Sequence, residues 1–244
     1  AKLSINGGVH VGGDSDPGDN NLLVDGSIQI RDSAIYIKSQ ADTFMDIVAD
    51  GGVRIGDGVP TNYAMFAPDG ELTLAGTART NQMLNLGIDG LATGALAPTV
   101  RRLGDFYGYE FSINDDGYIR PFEIPYNADA TEPVQIKIRW YINEAYALSN
   151  GEIRWQIKYT PRAIGEAVNA GSATLDTGDI NIPATALHLA ENSITIPAAA
   201  LSPDDVIGIQ IKRINLVGGV DPAADPVIVR LELSYISNKL GEAT

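Results

Sequence analysis

Val134-Gln135-Ile136-Lys137-Ile138-Arg139-Trp140-Tyr141-Ile142 decides how this chain is read. Successive side chains of an extended strand point to opposite faces. Val134, Ile136, Ile138, Trp140 and Ile142 therefore share one face, and Gln135, Lys137, Arg139 and Tyr141 the other. One face belongs to a core and the other to water. The same period runs through Ile153, Trp155, Ile157 and Tyr159, through Ile207, Ile209, Ile211 and Arg213, and through Val227, Val229, Leu231, Leu233 and Tyr235. Further strands are expected over Phe106 to Ile113, Tyr118 to Ile124, Ser172 to Leu175, Ile180 to Ile182 and Ser193 to Ile196. Turn-forming clusters separate them: Asn114-Asp115-Asp116-Gly117, Ser149-Asn150-Gly151, Ser202-Pro203-Asp204-Asp205 and the loop from Asp221 to Pro226. Residues 105–244 are thus expected to form a jelly-roll-like β-sandwich. Helix is nearly absent, with Ala184 to Glu191 the one serious candidate, and the strand order cannot be read from the sequence.

Composition divides the 244-residue chain. Only Tyr36, Phe44, Tyr63 and Phe66 among its aromatic residues precede residue 100. Bulky rings are what an independent core needs most, so a thin Gly-rich first part is followed by a well-cored second part. The formal net charge of -14 and a pI near 4.4 argue against a nucleic-acid binder, which needs clustered Lys and Arg, and against an anionic membrane partner. The acidity instead keeps a repetitive β protein soluble and discourages stray edge pairing. With no Cys there is neither a disulfide framework nor a thiolate metal site, which suits synthesis in a reducing cytoplasm. Ala1 to Gly8 contains no apolar signal core and no stretch reaches membrane-spanning length, so a soluble protein is expected.

The first part repeats. Asn6-Gly7-Gly8-Val9-His10-Val11, Asp25-Gly26-Ser27-Ile28-Gln29-Ile30, Asp50-Gly51-Gly52-Val53-Arg54-Ile55 and Asp69-Gly70-Glu71-Leu72-Thr73-Leu74 share one pattern: a turn pair ending in Gly, one variable residue, then apolar, polar, apolar. Asn-Gly or Asp-Gly tolerates the positive φ of a tight turn, and the triplet after it is a short strand with one buried face. Such strands cannot build a core alone, so they must pack on neighbouring repeats or on copies from other chains. A homotrimer follows as the expectation.

Ile35-Tyr36-Ile37-Lys38-Ser39 and the run from Met45 to Asp57 resemble shaft segments of bacteriophage tail and head fibres. The arrangement of Tyr107-Gly108-Tyr109-Glu110-Phe111, Arg120-Pro121-Phe122-Glu123-Ile124-Pro125 and Leu201 to Ile207 resembles the layout of terminal sandwich domains in phage structural proteins. The resemblance implies an all-β, trimeric virion fibre. Residues 1–78 would be a β-prism-like shaft that attaches to the capsid or tail. Residues 79–104 would be a linker or neck holding one helical turn at Gln82 to Leu86. Residues 105–244 would be a head domain that contacts a host surface glycan or protein. Because the repeat is already present at Leu3 to Val11, docking on the particle is expected through the first residues. Two rival readings remain: a secreted carbohydrate-binding or adhesin module, and a polysaccharide-degrading tail spike.

No catalytic, cofactor-binding or metal residues are nominated, and no enzyme activity is expected. His10 and His188 have no partner at motif spacing, and reading them as a surface and a half-buried residue suffices. Asp25, Asp50 and Asp69 each precede a Gly, and Asp115, Asp116, Asp204 and Asp205 lie between strands, so turns explain them. Asp14-Ser15-Asp16-Pro17-Gly18-Asp19-Asn20-Asn21 has the clustered oxygens a calcium ion likes but lacks the full twelve-residue loop and its terminal Glu, leaving a solvated loop as the reading. Tyr126 and Tyr146 lie in loops at opposite ends of one strand and so cannot share a site.

Overall fold

The computed structural model describes residues 36–38, 46–48, 52–56, 61–67, 70–89 and 91–240. The chain divides into two compact units, 1–53 and 54–244. In the first, β1 (Tyr36–Lys38) pairs antiparallel with β2 (Asp46–Val48). The first two repeats, His10 and the Asp14 to Asn21 loop lie outside the described residues.

Around the start of the second unit run β3 (Val53–Gly56), β4 (Tyr63–Phe66) and β5 (Leu72–Ala75), followed by β6 (Thr80–Asn85), β7 (Ala92–Thr93), β8 (Thr99–Leu103) and β9 (Phe106–Glu110). Next come β10 (Asp116–Glu123), β11 (Val134–Tyr141) and a single helical turn, α1 (Tyr146–Ser149). Then follow β12 (Glu152–Ile153), β13 (Trp155–Arg162), β14 (Ala173–Asp176), β15 (Ile180–Asn181) and β16 (Ala190–Ile196). The series closes with β17 (Val206–Arg213), β18 (Val227–Ser237) and β19 (Lys239–Leu240).

Two antiparallel sheets share one core, which makes this an all-β sandwich. One sheet has the order β14-β13-β17-β10-β7. The other runs β16-β11-β18-β9-β8, with β6 also paired to β18. Inward rows arise from the alternation in the sequence: Ile136, Ile138 and Trp140 on β11 face Trp155, Ile157 and Tyr159 on β13 and Ile207, Ile209 and Ile211 on β17. At the centre Trp155 meets Phe111 edge-on at 5.6 Å and Trp140 at 6.3 Å. Trp140 donates its indole N–H to Asn192 (2.8 Å). Arg213, with its side chain 1% exposed, is held inside the fold by ion pairs with Asp221 (2.8 Å) and Asp225 and donates to the Phe111 carbonyl (3.0 Å).

Residues 79–104 are not a linker. They supply β6, β7 and β8, and Leu86, Ile88 and Leu91 enter the core. The expected helical turn at Gln82 to Leu86 is instead an edge strand, with Leu84 opposite Leu233 on β18. Arg79 fastens this segment to the β10–β11 loop through Asp129 (2.8 Å) and Glu132 (2.7 Å). A sandwich cut at residue 105 would therefore lack three of its strands. The reason is geometric: β9 covers only Val227 and Ile228 of β18, and β6 satisfies the rest of that edge from Glu232 to Ser237.

The helix expected over Ala184 to Glu191 is also absent. Leu187 adopts φ 64 and its N–H bonds to the Ile142 carbonyl (2.7 Å), so the segment turns and enters β16. On β18 the alternation breaks once. Arg139 faces Arg230 but Trp140 faces Ile228, a bulge at Val229 that sends Ile228 rather than Val229 into the core.

β3 and β5 cover the apolar, polar, apolar triplets of the last two repeats; Gly70 (φ 88), the turn glycine of the fourth, occupies the left-handed region, and Gly51, that of the third, lies outside the described residues. Within the second unit β5 pairs with β4 and with β19, in a four-stranded sheet ordered β19-β5-β4-β3.

Candidate functional site

The site is built on the outer face of the five-stranded sheet. Because Ile119, Ile157, Ile209 and Ile211 point inward, their neighbours point out, and the register sets them in rows. Tyr118, Gln210, Lys158 and Thr174 lie side by side on β10, β17, β13 and β14. Asp116, Lys212, Gln156 and Asp176 form the adjacent row.

A bulge shapes the end of this face. Ile119 opposes Ile209 while Phe122 opposes Ile207, so β10 carries one extra residue at Arg120-Pro121. Phe122 still packs on the core, and Arg120 and Pro121 are both left on the outside. A strand bulge does this: it re-aims two consecutive side chains to one face, and it tolerates a Pro that cannot donate to the ladder.

Together these residues line a groove of ≈ 670 Å³, floored by Gly208 and Ile209 and walled by Tyr118, Arg120, Lys158 and Asp89. A Cβ added at Gly208 would meet nothing within 4 Å, so this glycine is what keeps the floor low. The groove continues into a second hollow of ≈ 430 Å³ beneath the β13–β14 loop, where Ile164 and Val168 present exposed apolar side chains. Arg162 braces that loop by donating to the carbonyls of Ala167 and Gly171, each at 2.8 Å.

The polar groups are oriented. Gln210 donates its amide to Tyr118 Oη (3.2 Å) and to Asp116, and Asp116 also accepts the Leu96 N–H (3.1 Å). Tyr107 donates its hydroxyl to Asp89 at the rim. Tyr118 remains 47% exposed. Hydroxyl, amide, guanidinium and ammonium groups beside an exposed ring on a long shallow groove can hold a chain of hydroxylated rings, with stacking on one side and hydrogen bonds on the other.

The opposite outer face, on the six-stranded sheet, is neutralised internally. Arg139 reaches Glu191 (2.8 Å) and Glu232 (3.1 Å), Arg230 reaches Glu232 (2.6 Å), and Lys137 lies 3.7 Å from Glu191. The hydrogen bond from Arg139 holds the Glu191 carboxyl below its ordinary range, against the opposing effect of partial burial.

Turn carboxylates behave as the sequence suggests at Asp115 and Asp205, which accept the N–H of Ser112 and of Ser202, both at 2.8 Å. Asp116 differs: it begins β10, is buried, and anchors the chain at Leu96. His188 is exposed rather than half-buried. Tyr126 and Tyr146 sit at the two ends of β11, the first 5.7 Å from Lys239 Nζ and the second against the core, and neither lines the groove. Among the described residues, no group of three or more His, Asp or Glu could hold a metal ion, and no helix is long and apolar enough to cross a membrane. Sequence reasoning missed Tyr118, Arg120, Lys158, Gly208 and Gln210 as a set. A Gly inside the Ile207-Gly208-Ile209 strand and a Pro inside Ile119-Arg120-Pro121-Phe122 were the two signals that could have pointed there.

No family model and no curated protein matches the chain. Solved structures similar to it include a xylan-binding module, CBM15 (TM-score 0.40, 12% identity, 64% of this chain and 97% of that one). A CBM36-1 domain of a multidomain xylanase from the hindgut metagenome of Trinervitermes trinervoides gives TM-score 0.33 at 12% identity, over 63% and 96% of the two chains. A chain of infectious bursal disease virus, Gx strain, gives TM-score 0.35 at 10% identity, over 82% and 40%. Similarities this distant carry no ligand and no residue role across.

Proposed function

We propose that the second unit is a carbohydrate-binding module that holds a polysaccharide chain along the outer groove of its five-stranded sheet. The observation that carries this reading is the groove itself, whose glycine floor, exposed Tyr118 ring and pre-oriented Gln210 suit a chain of sugar rings lying across the strands. The side chains act by binding: no nucleophile, base and orienter stand together in the groove. The test is retardation of the full chain in native gels containing soluble polysaccharides, with Gly208→Trp as the comparison. A ring at Gly208 fills the groove from open space. It should abolish retardation while leaving the thermal melt unchanged. Retardation that survives Gly208→Trp, or no retardation by any polysaccharide, overturns the reading.

A second reading concerns how the module is presented, and one observation favours it. Phe66, Leu72 and Leu240 lie side by side across β4, β5 and β19, and Phe66 and Leu240 are 51% and 48% exposed. Leu72 belongs to the fourth copy of the repeating triplet, so the uncovered apolar row continues the pattern of the first part. Its occupant in this reading is the same row of further copies, in a homotrimeric virion fibre that carries the module to a host surface and gains avidity from three heads. Light scattering should then give about three times the 25.9 kDa chain mass; a monomer at high concentration rejects the fibre and leaves the module.

A further inference from the structure

We infer that the groove selects acidic polysaccharide, a chain bearing carboxylate or sulfate groups, over its neutral counterpart. The inference rests on the carbohydrate-binding reading of the same groove and adds the charge of its ligand.

The argument begins with where the chain leaves positive charge unanswered. Between residues 54 and 240, Arg79, Arg101, Lys137, Arg139, Arg154, Arg213, Arg230 and Lys239 all have a carboxylate partner. Arg54 lies 4.2 Å over the Tyr63 ring, and Arg162 is bound to backbone carbonyls. Arg102, Arg120, Lys158 and Lys212 have no such partner among the described residues. Arg120, Lys158 and Lys212 all lie on the outer face of the five-stranded sheet, and Arg120 and Lys158 wall the groove.

In a chain of net charge -14, unneutralised cations gathered on one face need a cause, since carboxylates are the cheapest neighbours available to them. The carboxylates nearest the groove are engaged elsewhere. Asp89 accepts from Tyr107, Asp116 from Leu96 and Gln210, Asp176 from Arg154, and Glu166 from the Ala163 N–H. Glu123, at the far end of β10, does not line the groove. The bulge at Arg120-Pro121 is what turns Arg120 onto this face without disturbing Phe122 in the core. Lys158 stands two strands from Tyr118, roughly 10 Å across the sheet. A saccharide ring stacked on Tyr118 can thus present one anionic group to Arg120 while a neighbouring ring presents another to Lys158. Guanidinium and ammonium groups in such a groove can also donate to neutral hydroxyls, but their strongest hydrogen bonds, with charge on both partners, come from an anionic ligand.

The experiment titrates the full chain with polygalacturonate and with the same polymer after reduction of its carboxyls to hydroxymethyl groups, at low and high salt. The charged polymer should bind at least about tenfold tighter at low salt, with the difference shrinking as salt rises. Arg120→Gln and Lys158→Gln should each weaken the charged polymer about fivefold and leave the reduced polymer unchanged. Arg102→Gln, an unpaired cation away from the groove, should change neither. Equal binding of both polymers overturns the inference and leaves the carbohydrate-binding reading intact. Binding of the charged polymer that survives Gly208→Trp and is matched by inorganic polyphosphate is anion adsorption, and it overturns the inference together with the site.

Discussion

The two outer faces of the sandwich come from the same alternating pattern and yet are opposites in charge economy. On the six-stranded sheet, Glu232 is 2% exposed beneath Arg139 and Arg230, and Glu191 closes the ladder from the next strand. On the five-stranded sheet, Lys158 stands in the row of Tyr118 and Gln210, Arg120 lies at the bulge beside it and Lys212 in the adjacent row across from Asp116, and among the described residues none of the three forms an ion pair. The difference teaches that a half-wet strand does not determine what its wet side is for. A finished network of ion pairs serves the protein itself, whereas oriented but uncompensated groups on a groove are suited to something brought from outside.

The comparison can be broken through stability. Glu232→Ala strips Arg230 of its partner and leaves Arg139 with Glu191 alone, in a site where the carboxylate is buried. Chemical denaturation should show a loss of about 2 kcal/mol, and no loss would mean that the six-stranded face is not held by its ion pairs. A smaller effect is expected from pH. The Glu191 carboxyl lies below its ordinary value of 4.5 because Arg139 bonds to the ionised form. Its contribution is therefore present above that ordinary value and lost as pH falls through the lowered, folded-state value. Thermal melts of Glu191→Gln should fall less steeply than wild type as pH drops below about 4.5; parallel curves would remove this residue from the acid limb. Smallest of all, Arg120→Gln and Lys158→Gln should leave folding stability within about 0.5 kcal/mol, since nothing in the fold depends on their charge. A clear loss in either would make the groove cations structural and narrow the contrast between the faces.

Much of the sandwich was legible from single strands. Val134 to Ile142 shows its buried side because one face is uniformly apolar, and Val206 to Arg213 shows it through Ile207, Ile209 and Ile211, with Arg213 buried at the end of the same face. What stayed hidden lies where that rule has exceptions. Val229 is apolar whichever way it points, so the bulge that replaces it with Ile228 leaves no trace in the pattern. Thr80 to Asn85 buries little beyond Leu84 and reads as polar linker, although its backbone completes the edge of β18. The groove was invisible for another reason. Tyr118, Lys158 and Gln210 are ordinary outward residues of separate strands, and only the order β13-β17-β10 sets them in one row.

The pairings of β5 with β19 and of β6 with β18 join stretches that are far apart along the chain; Asn81 and Ser234, for instance, hydrogen-bond across a separation of 153 residues. During synthesis, which proceeds from the N-terminus, β4 to β6 emerge long before the strands that complete them. The apolar row of Phe66 and Leu72 and the open edge of β6 must wait in the nascent chain until residues 227–240 have been made. Closing such long loops is slow, and an unpaired edge that waits is exposed to wrong partners in the meantime. The order of translation thus sets a time window in which these edges stay unpaired, and that window closes only with β18 and β19.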